Sequence, residues 1–127
     1  MAEIKFYICP VCGKIIGVIN PTAVPTKCCG QDMVALVPGT TDASLEKHVP
    51  VVNVEGSLVK VNIGSVDHPM TAEHSILWVY LQTDKGGQRK NLAVDGAPAV
   101  EFAITADEKP IAVYAYCNLH GLWKTEI

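Results

Sequence analysis

The sequence carries little charge and none of it is concentrated. Of 127 residues 18% are charged, the formal net charge is -3, and no basic run or basic face is visible. This argues against a nucleic-acid partner, because phosphate binding needs clustered Lys and Arg. No apolar run approaches the roughly 20 residues of a membrane-spanning helix, so no membrane partner is expected. The opening Met1 to Pro10 lacks the basic start and apolar core of a secretory leader, and the expected location is the cytoplasm. There is no internal repeat and no low-complexity segment. Two further absences matter more. No histidine precedes His48, and no cysteine lies between Cys29 and Cys117.

That division separates two sets of metal-binding side chains. Cys9, Cys12, Cys28 and Cys29 crowd the N-terminal stretch, while His48, His68, His74, Cys117 and His120 are spread through the remainder. Five cysteines are an odd number, and thiols in a reducing compartment stay unpaired, so the cluster reads as metal ligands rather than disulfides. An all-thiolate site moves electrons or holds structure. A mostly imidazole site with more ligands than a tetrahedron uses points to iron and reactivity.

The chain divides by pattern into residues 1–37 and 38–127. The first part has two short β-like runs, Lys5 to Ile8 and Lys14 to Ile19, with turn chemistry at Asn20-Pro21 and Cys29-Gly30. A piece below roughly 40 residues needs a metal, a disulfide or a partner chain to fold, and four thiolates would supply that staple. Pro38-Gly39-Thr40-Thr41 reads as a boundary. Asp42 to Lys47 predicts a short helical turn capped by Thr41 or Asp42, ending before Pro50.

Beyond it the pattern is β. Val49 to Val54 and Leu58 to Ile63 flank a turn expected at Glu55-Gly56, and Val59, Val61 and Ile63 alternate with Lys60 and Asn62. Ile76 to Leu81 is nearly all apolar, as a central strand would be. Ala99 to Ile104 and Ile111 to Tyr116 supply two more strands, with turns expected at Lys85-Gly86-Gly87 and Asp95-Gly96. The expected architecture is mainly β: a small rubredoxin-like metal-binding domain, then an immunoglobulin-like antiparallel β-sandwich.

Cys9-Pro-Val-Cys12-Gly13 is a knuckle in which two thiolates approach one ion from a tight turn, with Gly13 permitting the backbone conformation that follows. Cys28 and Cys29 are adjacent and would normally point apart, so binding one ion requires a distorted local backbone. Structural zinc and rubredoxin-like iron both suit four sulfurs. The order Cys-x-x-Cys, fifteen residues, then Cys-Cys-Gly-x-x-Met, with Met33 in the last position, resembles desulforedoxin over residues 1–37. That resemblance implies a single iron.

In the second set, Pro69 holds His68 extended, His68 and His74 bracket a loop leading into the Ile76 strand, and Cys117 and His120 follow the Tyr116 strand. Zinc would be content with four of these ligands. Blue copper would want two histidines, a cysteine and an axial methionine, but no methionine follows Cys117 and only Met70 lies in this part. Four imidazoles and a thiolate suit a five-coordinate iron with one open position.

Glu46-Lys47-His48-Val-Pro, Gly64-Ser-Val-Asp-His68-Pro-Met, Glu73-His74 and Tyr116-Cys117-Asn-Leu-His120-Gly together resemble the superoxide reductases. With the N-terminal knuckle the similarity extends over essentially the whole chain to the two-iron, desulfoferrodoxin form. Leu122 departs from a pattern that often has histidine there, at a position that is not a family ligand. The resemblance implies one-electron reduction of superoxide to hydrogen peroxide, with two irons per chain. His48, His68, His74 and His120 would lie in a plane with Cys117 axial. Lys47 would attract superoxide, and Glu46 would become a sixth ligand after oxidation. A small redox donor such as rubredoxin and a homodimer are further implications. The competing readings are a two-centre electron carrier without turnover and a zinc-stabilised binding module.

Overall fold

Phe6, Tyr7 and Ile8 begin a β-rich run. In the computed structural model, which describes residues 3–127, this run forms β1 (Lys5–Ile8). It pairs antiparallel with β2 (Ile15–Val18) on one side and β5 (Val34–Ala35) on the other, while β3 (Lys27–Cys28) and β4 (Gln31–Asp32) make a minimal hairpin. Strand β2 is one residue shorter at each end than the Lys14 to Ile19 run. These elements belong to a first compact unit ending at Val37. Its buried apolar side chains among the described residues are Phe6, Cys9 and Met33. So small a core cannot by itself offset the conformational entropy of ordering the unit.

The second compact unit spans Pro38–Ile127. It opens with one helical turn, α1 (Leu45–His48), capped at Ser44 without a side-chain cap hydrogen bond. The turn therefore begins three residues later than Asp42, and neither Thr41 nor Asp42 caps it. Seven strands follow in two sheets. The first has the order β10 (Ala99–Ala103), β7 (Leu58–Ile63), β6 (Pro50–Glu55), and the second the order β12 (Gly121–Glu126), β11 (Pro110–Cys117), β8 (Ile76–Thr83), β9 (Gly86–Asn91), all pairs antiparallel. This is the arrangement of an immunoglobulin-like sandwich. Its core interdigitates Val59, Val61, Ile63 and Phe102 from one sheet with Ile76, Val79, Leu81, Val113, Ala115 and Cys117 from the other.

Two strands depart from the sequence expectation. Gly86 and Gly87 are not turn residues but the start of β9, because the turn is made by Asp84 and Lys85 and the Tyr80 hydroxyl occupies the space a side chain at Gly87 would need. Strand β12 was also unanticipated; it forms because Leu122 and Trp123 are buried and Gly121, at φ 79, reverses the chain after His120. Glu55 lies inside β6, and the hairpin turn falls on Gly56-Ser57. The antiparallel pairing sets the start of β6 beside the end of β7, and the starts of β8 and β12 beside the end of β11; ring contacts among His48, His68, His74 and His120 bring these ends together.

Candidate metal centres

In the first unit the knuckle follows β1 directly. The Cys9 N–H donates to the Lys14 carbonyl at 2.8 Å and the Gly13 N–H to the Cys9 carbonyl at 3.0 Å, with Gly13 at φ 79. Cys28 ends β3. Cys29 then adopts φ 53 and Gly30 φ 75, and these two left-handed residues turn neighbouring sulfurs to one side. The Sγ atoms of Cys12 and Cys28 are 3.6 Å apart and those of Cys28 and Cys29 3.9 Å, and all four sulfurs lie within 4.8 Å of one another. Metal–sulfur bonds of about 2.3 Å in a tetrahedron require sulfurs ~3.8 Å apart, so the cluster fits one ion. The Cys12 backbone N–H directed at its sulfur pulls the Cys9 thiol down to about 6, whereas hydrogen bonding to Cys9 and then Cys12 pushes Cys28 up to about 12. Four thiolates crowded together need a cation.

In the second unit His48 closes α1, His68 and His74 lie in the β7–β8 loop, Cys117 ends β11 and His120 sits in the turn before β12. The ring centroids of His48, His68, His74 and His120 form a closed circuit of 4.7, 4.6, 5.1 and 4.9 Å, with His48 and His74 6.4 Å apart across it. That is nearly the diagonal a square of such sides requires. Neighbouring rings stand close to perpendicular, at 76° to 88°. The donor atoms of His48, His74, Cys117 and His120 lie within 4.8 Å of one another. His68 falls outside that tightest set but joins through its Nε2, 3.2 Å from Nε2 of His48.

Hydrogen bonds fix which nitrogens face inward. Nδ1 of His48 donates to the Ser44 carbonyl at 2.6 Å and Nδ1 of His68 to the Pro69 carbonyl at 2.7 Å. Both Nε2 atoms are then lone-pair acceptors, and in the neutral rings they confront each other at 3.2 Å. His48 Nε2 also stands 3.1 Å from Nδ1 of His120, and His74 Nε2 is buried with no hydrogen-bond partner. Converging lone pairs and an orphaned ring nitrogen are what a metal ion would satisfy. With metal–nitrogen bonds of about 2.1 Å, imidazoles at a right angle stand ~3.0 Å apart and at a tetrahedral angle ~3.4 Å. The observed 3.1 Å is closer to the first, and 3.2 Å lies midway between the two.

Burial dominates the electrostatics. It lowers the pKa of His48 and His74, takes His68 to about 4, and raises the fully buried Cys117 thiol. Burial thus favours the neutral, donating form of these three imidazoles, while the thiol gives up its proton only to a cation. The backbone N–H groups of Leu119 and His120 point at Cys117 Sγ and oppose that rise. Glu46 and Lys47 are exposed on α1, and the Lys47 charge is felt at both His48 and His74.

Three further residues shape this site, two of them, Gly64 and Asn118, lying within the motifs quoted above without a role assigned there. Gly64 lets the β7–β8 loop pack against the α1 backbone. The Trp123 ring lies 4.9 Å from the His48 ring and its Nε1 donates to the His120 carbonyl at 3.1 Å. Asn118 bonds the loop that carries His74. Glycine after a strand and Trp or Asn beside ligands were visible in the sequence, but their partners were not.

Comparison with known proteins agrees with this geometry. The desulfoferrodoxin family model matches residues 40–126, and the model of the desulfoferrodoxin N-terminal domain matches residues 2–36. A desulfoferrodoxin homolog of Archaeoglobus fulgidus is 41% identical over 126 residues, covering 98% of this chain and 99% of the relative. The crystal structure of the superoxide reductase from Treponema pallidum is similar with a TM-score of 0.84 and 46% identity, over 98% of this chain and 100% of that one. The one-iron superoxide reductase from Giardia intestinalis matches with a TM-score of 0.54 and 30% identity, over 65% of this chain and 97% of that one. The family binds two irons, and the two donor sets here, four sulfurs and four imidazoles with a sulfur, correspond to that number. The chain belongs to the desulfoferrodoxin family.

Proposed function

We propose that the chain is a superoxide reductase in which His48, His68, His74, His120 and Cys117 would hold one iron. The observation that carries this reading is the square of imidazoles with a buried thiol beside it. Five donors of that kind would hold an iron while leaving room for a small anion to bind it. A bound ferrous ion supplies a single electron there. One superoxide, one electron and two protons give one hydrogen peroxide, and no dioxygen is released.

The chain's own groups have distinct parts. Lys47 provides positive charge beside the open direction in an otherwise acidic protein and draws the anion in. The Cys117 thiolate, held by the Leu119 and His120 N–H groups, would donate electron density to a bound iron, as thiolate ligands do elsewhere. The carbonyl bonds of His48 and His68 hold their rings in the tautomer that turns Nε2 inward. Glu46, one residue before Lys47, is the carboxylate that would join the ligands of an oxidised iron.

Residues 1–37 form a desulforedoxin-like domain in which Cys9, Cys12, Cys28 and Cys29 hold the second iron, and residues 38–127 form the catalytic domain. The one-iron reductase matched above supports a catalytic domain able to work without the first site. In this reading the chain acts in the cytoplasm as a homodimer, takes electrons from a small redox protein such as rubredoxin, and detoxifies superoxide. The test is product stoichiometry. With a reductant present, each superoxide consumed should yield one hydrogen peroxide and no dioxygen. Half that peroxide with dioxygen evolved would mean dismutation, and no consumption beyond the uncatalysed rate would remove the activity altogether.

A further inference from the structure

The β8–β11 ladder breaks at its end: a register shift lies between Tyr116 and Cys117, and Cys117 pairs with Ile76 as the last rung. Pairing nevertheless continues, through a side chain. The Ser75 N–H donates to Asn118 Oδ1 at 3.0 Å, Asn118 Nδ2 donates to the Glu73 carbonyl at 2.9 Å, and the Asn118 backbone N–H donates to the Ser75 carbonyl at 3.2 Å. The Glu73 carbonyl and the Ser75 N–H belong to the two peptide groups that flank His74. A carboxamide offers one acceptor and paired donors on one rigid plane, so the Asn118 side chain grips both peptides at once. Holding those two planes fixes φ and ψ of His74 and with them the direction of its Cα–Cβ bond. Thr71 shapes the same loop locally, its hydroxyl accepting from the His74 N–H at 3.1 Å, but it does not tie the loop to the strand bearing Cys117. Nε2 of His74 is buried without a hydrogen-bond partner, and among the described residues no carbonyl steers this ring in the way the Nδ1 bonds to Ser44 and Pro69 steer those of His48 and His68. Its aim therefore depends on its backbone.

We propose that Asn118 is the positioning residue for His74, holding that imidazole at its corner of the square through the two peptides on either side of it. The inference rests on the reading of His74 as a ligand and goes beyond it.

The test is cobalt(II) titration of the metal-free full-length chain against a competing chelator. The histidine site is followed by its Cys117 thiolate charge-transfer band, apart from the bands of the all-thiolate site. Removing partners that orient ligands costs 10–100-fold in metal affinity. Because Asn118 acts on the loop rather than on the ring, Asn118→Ala should lie near the lower end, ~10-fold weaker. Asn118→Asp keeps the acceptor for Ser75 but turns a carboxylate toward the Glu73 carbonyl. It should weaken binding similarly, and it serves if the alanine variant does not fold. Amide exchange at Ser75 in the metal-free protein should accelerate in both variants. In a His74→Ala background the Asn118 substitution should cost almost nothing further, since the ring it positions is gone. The same cost with and without His74, or unchanged affinity despite faster Ser75 exchange, overturns the proposal. If His74→Ala alone leaves cobalt affinity intact, it is the ligand reading of His74 that fails, and the proposal falls with it.

Discussion

Gly64→Ala asks how far the histidine site depends on the seating of α1. Gly64 follows β7 with its open side against the helical turn. A Cβ there would stand 2.6 Å from the Glu46 carbonyl oxygen, 3.0 Å from that of Val49 and 3.1 Å from the Lys47 carbonyl carbon. Ordinary contact begins near 3.4 Å, so loop and helix would have to part by roughly 0.8 Å. All three atoms are backbone and none can swing aside like the end of a side chain. Other bonds resist the separation: Val66 N–H and the Ser65 hydroxyl donate to the Glu46 carbonyl at 2.9 and 3.3 Å, and Asn62 Nδ2 donates to the Gly64 carbonyl at 2.7 Å.

Overpacking of this kind costs about 1–3 kcal/mol, which for a domain the size of the second unit lowers Tm by roughly 4–20 °C. The displacement also carries His48 away from His68, whose Nε2 atoms are now 3.2 Å apart, so metal affinity at the histidine site should fall ~10-fold or more. Differential scanning calorimetry of the metal-free chain and chelator-buffered cobalt titration measure the two effects. A variant that melts where the parent melts and binds metal as tightly would refute the argument, because loop and helix would then be free to adjust without cost to the site.

Four other substitutions separate the roles of the remaining groups. Lys47→Ala should slow the second-order reaction with superoxide and flatten its dependence on ionic strength; an unchanged rate at low salt in pulse radiolysis would end its steering role. Glu46→Ala should alter the absorption spectrum of the oxidised site more than the initial rate, and identical oxidised spectra would count against ligation. Cys117→Ser should abolish turnover and remove the thiolate charge-transfer band; retained turnover would refute the axial donor. Cys12→Ser should empty the four-cysteine site while superoxide reduction with an artificial reductant persists, and loss of turnover would make the first iron part of the reaction.

Much of this protein was legible from residue types and spacing. The alternation of Val59, Val61 and Ile63 and the apolar run from Ile76 marked their strands because burial imposes those periods directly. Strand β9 was hidden because Gly-Gly-Gln-Arg-Lys-Asn has no alternation. Its conformation comes from pairing with β8, from Trp78 opposite Asn91 to Thr83 opposite Gly86, and its charged, exposed character suits a sheet edge. The helical turn starts at Leu45 rather than Asp42 because tertiary and backbone bonds, not the local capping propensity of Thr41 or Asp42, set its start. Here the turn is held by the Val49 N–H on the Leu45 carbonyl and by His48 Nδ1 on the Ser44 carbonyl. The donor residues of both sites were visible as types. Which ring nitrogen faces inward, and that Asn118 grips the His74 loop across 43 residues of sequence, depend on hydrogen bonds that no local pattern encodes.

The placement of the donors also explains why the histidine site has two unlike faces. Cys117 is the one donor set within a strand, paired to Ile76 on one side and Gly121 on the other, and its side chain belongs to the sandwich core. The four histidines come from a helical turn, a loop and a tight turn beyond the strand ends. A thiol fixed by two ladders and closed off from water keeps its place whatever happens at the loops, and the buried core behind it bars approach of an anion from that side. Glu46 and Lys47, by contrast, are exposed on the same helical turn as His48. On the proposed function, an anion drawn by the Lys47 charge would therefore approach from the loop side rather than through the core that buries Cys117. The same helical turn carries both the cation proposed to draw the anion and the carboxylate proposed to follow it.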